Sequence, residues 1–212
     1  MRKLCLLVVL CVLGAPFAFA DVVVGSNDNG NCYPFSCFAF DAGTLYQEIY
    51  SSSAFPGPIS ISSLSFFLWS PGLMDDATYT VELSTTSSNV GDPYPLTVGA
   101  DDQLFGTYAI SGNMPPVLTL AGGPFNYNPG NGNLLMQVTV GTVNSTCHYC
   151  STFEADFTGT VVSRAWTEGG GAGGSGTGAL VTEFGTAIPE PGSLGLFACG
   201  LTGLAALIRR RK

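Results

Sequence analysis

The segment from residue 21 to residue 188 is interrupted at short intervals by residues that end helices. The chain of 212 residues holds 28 glycines and 13 prolines, and serine and threonine fill many of the gaps between them. No long stretch of this segment keeps apolar side chains at the helical spacing of three and four residues. The pattern therefore argues against a helical fold and favours short β-strands joined by turns.

Alternating apolar and polar residues mark the predicted strands. The clearest alternation runs over residues 59–68, with a change of register at Ser62 and Ser63 that predicts a β-bulge. Residues 134–140 are the most apolar, which favours a central place in a sheet. Further strands are predicted at 79–85, 104–111, 117–120, 153–158, 161–166 and 179–184. We therefore predict one all-β domain, a single antiparallel β-sandwich, with the jelly roll as one form of it.

Residues 169–178 form a glycine-rich tract that has two interpretations. The tract could be a flexible linker between domains, since glycine and serine make a chain flexible. We favour a hairpin loop, because residues 179–184 after it have the pattern of a strand and are too few to form a second domain. Residues 185–188 are then the linker, so the predicted domain spans residues 21–184.

The first 20 residues have the order of a secretory signal peptide. Two basic residues precede an apolar run over residues 4–13, and Ala18 and Ala20 occupy the small-residue positions before a cleavage site. We expect signal peptidase to cut before Asp21. A lipoprotein acylated at Cys11 is the disfavoured alternative, because the residue before this cysteine is large.

Three features follow one another at the C-terminus. Pro189, Glu190 and Pro191 come first, and an uncharged apolar run over residues 194–208 follows them. The chain ends on a basic cluster, Arg209, Arg210, Arg211 and Lys212. Such a run is close to the shortest that crosses a bilayer as a helix, and its cationic flank stays on the cytoplasmic side. We therefore predict a short transmembrane helix, with the rest of the chain outside.

This order resembles the PEP-CTERM sorting signal of Gram-negative bacteria, and the match covers residues 189–212. The resemblance implies that an exosortase, a membrane enzyme of the transpeptidase type, removes the helix. It also implies that the protein passes from the inner membrane to the cell surface or the extracellular matrix. A permanent membrane anchor is the alternative. The segment 21–184 is similar in a general way to other PEP-CTERM ectodomains, and that likeness implies no function.

The distribution of charge excludes two classes of partner. Six of the seven basic residues lie in the terminal segments, so Arg164 is the only one in residues 21–188. The same residues include 14 aspartates and glutamates. The resulting charge of about -13 repels nucleic acid and anionic lipid. With one cation, the domain must be held together mainly by packing and backbone hydrogen bonds.

Four of the seven cysteines lie in the predicted exported domain: Cys32, Cys37, Cys147 and Cys150. An even number of cysteines in an oxidising compartment predicts disulfides. Cys147 and Cys150 flank two residues between predicted strands, which is close enough to bridge. We therefore expect local pairs, Cys32 with Cys37 and Cys147 with Cys150. The alternatives are cross-pairing between the two clusters and a metal site that includes His148.

The inventory of catalytic groups argues against an enzyme. His148 is the only histidine, and it stands between two cysteines at a predicted hairpin tip, where a solvent-facing turn residue is expected. The sequence has neither a serine nucleophile motif nor a phosphate-binding loop. We therefore expect no catalytic residue and no cofactor.

Two other kinds of binding site stay open. The loop acid pairs are weak candidates for calcium, which prefers loop carboxylates and carbonyls, although a solvated charged turn is favoured: Asp75 with Asp76, and Asp101 with Asp102. Several aromatic side chains could stack on sugars, although packing is favoured for most of them: Tyr79, Tyr94, Tyr108, Tyr127, Tyr149, Trp69 and Trp166.

These patterns predict an exported protein of the cell surface or extracellular matrix with a structural or adhesive role. Its expected partners are signal peptidase, an exosortase-type enzyme and, before processing, the inner membrane. A carbohydrate-binding module that acts in exopolysaccharide is the alternative function.

Overall fold

Thirteen β-strands carry the fold in the computed structural model, which describes residues 20–37, 42–167 and 173–186. Among these residues the helical elements are two short 3-10 helices, Ser52–Ala54 and Pro129–Asn131, and no α-helix occurs. The strands are β1 (Val22–Val24), β2 (Asn29–Asn31), β3 (Leu45–Tyr50), β4 (Ile59–Ser70), β5 (Leu73–Thr86), β6 (Gln103–Asn113), β7 (Val117–Tyr127), β8 (Asn133–Ser145), β9 (Thr152–Asp156), β10 (Val162–Trp166), β11 (Gly174–Gly176), β12 (Ala179–Leu180) and β13 (Thr182–Thr186). The all-β class is therefore confirmed.

The strands form two antiparallel sheets. One sheet has seven strands in the order β1-β13-β4-β9-β12, with β7 paired to β4 and β2 paired to β9. The other has six strands in the order β11-β10-β3-β8-β5-β6. Side chains from both sheets fill one core, with Phe66 and Phe184 from the first sheet and Tyr50 and Val138 from the second. Two sheets that share a core in this way form a β-sandwich.

Two local predictions about the strands are confirmed. The pairing of β4 with β7 changes register between Ile61 and Ser63, where the bulge is predicted. β8, which contains the apolar run over residues 134–140, lies between β3 and β5 in the interior of its sheet. A strand in that position has neighbours on both sides, which explains why nearly all of its side chains in this run are buried.

β7 is longer than predicted. The cluster of glycine and proline that begins at residue 122 predicts a turn, but the strand continues through it to Tyr127. Phe125 and Tyr127 are buried in the core, so the chain gains apolar burial by staying in the sheet. A Cβ atom on Gly122 would lie 2.3 Å from the carbonyl oxygen of Phe105. The glycine therefore permits a close approach of two strands and does not mark a turn.

The two ends of the domain also differ from the prediction. Residues 29–31 are asparagine and glycine, which favour a loop, but they form β2 against β9. Part of the glycine tract forms β11, which pairs antiparallel with β10 as a hairpin requires. The predicted strand over residues 179–184 is two strands, since β12 pairs with β9 whereas β13 pairs with β4 and continues to Thr186. One continuous run of residues thus pairs first with β9 and then with its neighbour β4.

Several predictions fall outside the described ranges. These are the signal peptide up to residue 19, with Ala18, and the C-terminal features: Pro189, Glu190, Pro191, Arg209, Arg210, Arg211 and Lys212. The predicted transmembrane helix falls outside them as well. Within the described ranges, no helix has the length and apolar character needed to cross a membrane.

Candidate functional site

A polar network is buried in the core at β3. Tyr46, Glu48 and Tyr50 alternate onto one face of this strand, and all three are fully buried. Oε1 of Glu48 accepts hydrogen bonds from the Tyr46 hydroxyl at 2.5 Å and from the backbone N–H of Leu180 at 2.7 Å. Oε2 accepts one from the Tyr50 hydroxyl at 2.5 Å. Glu48 therefore joins β3 of one sheet to β12 of the other.

Arg164 extends the network to β10. It stands directly opposite Glu48 in the antiparallel register of β10 and β3. Its guanidinium group forms a hydrogen bond with the Tyr46 hydroxyl. It also donates to Oδ1 of Asn31 and to the carbonyl oxygen of Thr177, both at 3.0 Å. One cation thus links four segments of the chain.

Two aromatic rings flank the Arg164 side chain. The guanidinium carbon lies 4.9 Å from the centre of the Trp166 ring and 5.5 Å from that of Tyr33. Contacts of this kind are favourable because the face of an aromatic ring carries partial negative charge. The hydrogen bonds and ring contacts together hold the only arginine or lysine among the described residues in a structural position.

Burial controls the ionisation of this network. Loss of solvent raises the pKa of Glu48 to about 7, although the Leu180 N–H, the two tyrosine hydroxyls and the charge of Arg164 oppose the shift. Burial and the neighbouring carboxyl group also raise the pKa values of Tyr46 and Tyr50 well above the usual one. The tyrosines therefore stay neutral, and Glu48 changes its charge near neutral pH.

Asp75 connects the two disulfides at one end of the sandwich. Both predicted local pairs are present, Cys32 with Cys37 and Cys147 with Cys150, with Cα separations of 5.4 and 5.2 Å. The buried carboxyl group of Asp75 accepts hydrogen bonds from the N–H of Cys147 at 2.7 Å and of Cys37 at 3.0 Å. Burial raises the pKa of Asp75, and these two bonds oppose the shift. The local pairing is confirmed, so these cysteines are not free to bind a metal.

The other acids of the calcium candidates contact neighbouring groups. Asp76 accepts a hydrogen bond from the Asn144 amide at 3.1 Å, and Asp101 accepts one from the N–H of Thr85 at 2.8 Å. Burial, and then the charge of Asp101, raise the pKa of Asp102. In the part of the chain that the structure describes, no three His, Cys, Asp or Glu side chains converge as a metal site requires. Calcium binding at these positions stays a prediction.

Two aromatic candidates are well exposed. The other five are buried or partly buried: Tyr79, Tyr94, Tyr108, Tyr127 and Trp166. Trp69 is 47% exposed and Tyr149 is 83% exposed. A Cβ atom on Gly30 would lie 2.5 Å from Cδ1 of Trp69, so the glycine lets the indole ring lie directly against β2. These two side chains are therefore the ones that could stack on a sugar.

His148 is exposed in the loop between β8 and β9. A solvent-facing position is what the sequence predicts for it. The network around Glu48, in contrast, is absent from the sequence predictions. The sequence does contain a pattern from which the network could be predicted. Tyr46, Glu48 and Tyr50 occupy alternate positions and must share one face of a strand.

A comparison of the chain with models of protein families and with curated proteins found no match. Its function therefore has to be inferred from its motifs and from the geometry of its residues.

Proposed function

We propose that this chain is an exported, non-catalytic protein of the cell surface or extracellular matrix, delivered by its C-terminal sorting segment. The sandwich is the displayed domain and has a structural or adhesive role. Signal peptidase, an exosortase-type enzyme and, before processing, the inner membrane are its partners. The charge of about -13 on residues 21–188 repels nucleic acid, so we expect no nucleic-acid partner.

One observation carries this proposal: the chain leaves the domain at the end opposite to the disulfides. β13 runs antiparallel to β4, and its last residue, Thr186, pairs with Ile61 near the start of β4. The loop of the second disulfide bonds to Leu73, just beyond the end of β4, through the carbonyl oxygen of Tyr149. From Ile61 to Ser70 a strand spans about 30 Å. A tether at one end and a cross-linked tip at the other suit a displayed domain.

The two disulfides and the burial of ionisable groups give further support. Disulfides persist in oxidising compartments outside the cytoplasm. The carboxyl groups of Glu48 and Asp75 are engaged in hydrogen bonds that hold strands and loops together. Both carboxyl groups therefore stabilise the fold, whereas a catalytic carboxyl group would point toward a substrate.

The sorting step can be tested with a substitution in the Pro-Glu-Pro motif. In a host that carries an exosortase, we expect Glu190→Ala to keep the protein in the inner membrane with its apolar segment attached. Glu183→Ala, which removes a carboxyl group from β13, is the matched control and should be processed normally. Membrane fractionation and intact mass distinguish the two forms. Normal release of the Glu190→Ala protein would leave the permanent anchor as the explanation.

A carbohydrate-binding module is the second candidate, and the exposure of Trp69 and Tyr149 favours it. The ligand would be a neutral polysaccharide, because the negative domain repels acidic ones. We expect Trp69→Ala and Tyr149→Ala to weaken retardation of the protein in gels that contain exopolysaccharide, each by about 1–3 kcal/mol if its ring stacks on a sugar. Leu104→Ala, an exposed apolar side chain of β6, is the control. Equal retardation of all variants would count against this candidate.

A further inference from the structure

A chain of hydroxyl groups links Glu48 to the last strands of the domain. The Tyr50 hydroxyl lies 2.5 Å from Oε2 of Glu48 and 2.9 Å from the Thr182 hydroxyl. The Thr182 hydroxyl lies 3.2 Å from the carbonyl oxygen of Leu180, to which it can donate. Each hydroxyl has a single proton to donate. The number of hydrogen bonds along the chain therefore depends on the protonation of Glu48.

When Glu48 is protonated, every hydroxyl group in this series can donate a hydrogen bond to the next group. When Glu48 is ionised, Tyr50 donates to Oε2, and its contact with Thr182 then uses the proton of Thr182. The carbonyl oxygen of Leu180 loses that donor. When Oε2 carries a proton, Glu48 donates to Tyr50, Tyr50 donates to Thr182, and Thr182 donates to Leu180. Protonation thus adds one hydrogen bond, between Thr182 and Leu180, and removes a negative charge that is buried between the two sheets.

The surroundings of Glu48 offer one cation to offset that charge. The groups that face it are Tyr46 and Tyr50 from β3, Arg164 from β10, Met136 from β8, and Leu180 and Thr182 from β12 and β13. Glu183 alternates onto the other face of its strand. Of the groups that stabilise the ionised form, Arg164 has the smallest effect on the pKa of Glu48. Its charge therefore does not cancel the effect of burial.

We propose that protonated Glu48 locks β12 and β13 onto β3, and that ionisation of Glu48 loosens these last strands. β13 is the last described strand, so the lock acts on the strand that precedes the C-terminal segment in the sequence. The pKa of Glu48 is raised from 4.5 to about 7 in the folded state. The stabilisation is therefore complete below pH 4.5 and is lost as the pH rises through about 7.

Hydrogen exchange of the full chain at pH 5 and pH 8 tests the lock. After correction for the intrinsic exchange rate, the protection of the Leu180 amide should fall roughly 50- to 100-fold between these pH values. Glu48→Gln keeps one oxygen for Tyr46 and Leu180, and its amide can donate to Tyr50. This variant cannot ionise, so its protection should not change with pH. Glu183→Gln makes the same chemical change on the other face of β13 and should behave like the wild type.

Two results would overturn the lock: constant protection in the wild type, or an equal loss in the wild type and in Glu48→Gln. If Glu48→Gln does not fold, Thr182→Val decides the question. That variant lacks the hydroxyl through which the protonated chain reaches Leu180, so its pH effect should be smaller than that of the wild type. An undiminished pH effect in Thr182→Val would equally rule the lock out.

Discussion

Asp75 organises the disulfide end of the sandwich with one side chain. Its two oxygens accept N–H groups from residues 38 and 72 positions away in the sequence. Buried N–H groups need an acceptor, because water cannot reach them. Neither disulfide joins the two loops covalently, so the carboxyl group of Asp75 makes a connection between them that the short disulfides cannot make.

The effect of these two hydrogen bonds to Asp75 on stability can be measured with Asp75→Asn. An asparagine has one acceptor oxygen, and its amide nitrogen would face the second N–H donor without bonding to it. We expect a loss of about 1–3 kcal/mol in the free energy of unfolding, measured by urea denaturation with tryptophan fluorescence. Asp76→Asn is the matched control, because Asp76 is only partly buried, and it should change stability by less than about 0.5 kcal/mol. Similar losses in the two variants would show that the hydrogen bonds of Asp75 do not stabilise the fold more than an ordinary surface carboxyl group does.

At the scale of elements, the described part of the glycine tract, residues 173–178, packs closely against the sandwich. The chain passes over three aromatic rings there, with Gly173 on Tyr94, Gly174 on Trp166 and Gly178 on Phe157. A side chain at any of these positions would meet a ring at less than 3 Å. The composition that suggests a flexible linker therefore serves close packing, and Trp166 in turn holds Arg164 in place.

Two substitutions in this tract separate packing from flexibility. A Cβ atom at Gly173 would lie 2.1 Å from Cδ1 of Tyr94, whereas one at Gly176 would meet nothing within 4 Å. We expect Gly173→Ala to cost about 1–3 kcal/mol in thermal unfolding followed by circular dichroism. Gly176→Ala should be neutral within about 0.5 kcal/mol. If the tract were only a linker, both variants would unfold like the wild type.

At the scale of the whole domain, its first and last residues lie side by side. The N–H of Thr186 donates to the carboxyl group of Asp21 at 2.9 Å. Asp21 and Thr186 therefore lie at one end of the sandwich, and the disulfide loops with His148 lie at the other. This polarity favours a domain that presents one end to its surroundings.

The role of His148 distinguishes a scaffold from an enzyme. We expect His148→Ala to leave folding and localisation unchanged, and we expect the protein to hydrolyse no common glycoside, ester or peptide. The double variant Cys147→Ser with Cys150→Ser, in the same loop, should lose about 2 kcal/mol of stability. It serves as the control that the folding measurement detects a change in this loop. Turnover of a substrate that disappears in His148→Ala would contradict the scaffold.

The sequence by itself determined the features that depend on neighbours along the chain. Alternation predicted the all-β class and the bulge at Ser62 and Ser63, because a strand repeats every two residues. The unbroken apolar run over residues 134–140 predicted the interior place of β8, because a strand with neighbours on both sides is buried on both faces. The short spacing of Cys147 and Cys150 predicted their pairing, because a turn brings its own ends together. These signals lie within a few residues, so they could be read without knowledge of the rest of the fold.

Tertiary structure alone decided the features that join distant segments. Residues 179–184 look like one strand, but their pairing with both β9 and β4 depends on where those strands lie. The N–H of Leu180 reaches Glu48 across 132 positions, and no local pattern marks that contact. A buried polar group takes whichever partner the packed sheets bring to it, since leaving it unpaired costs more than any local preference.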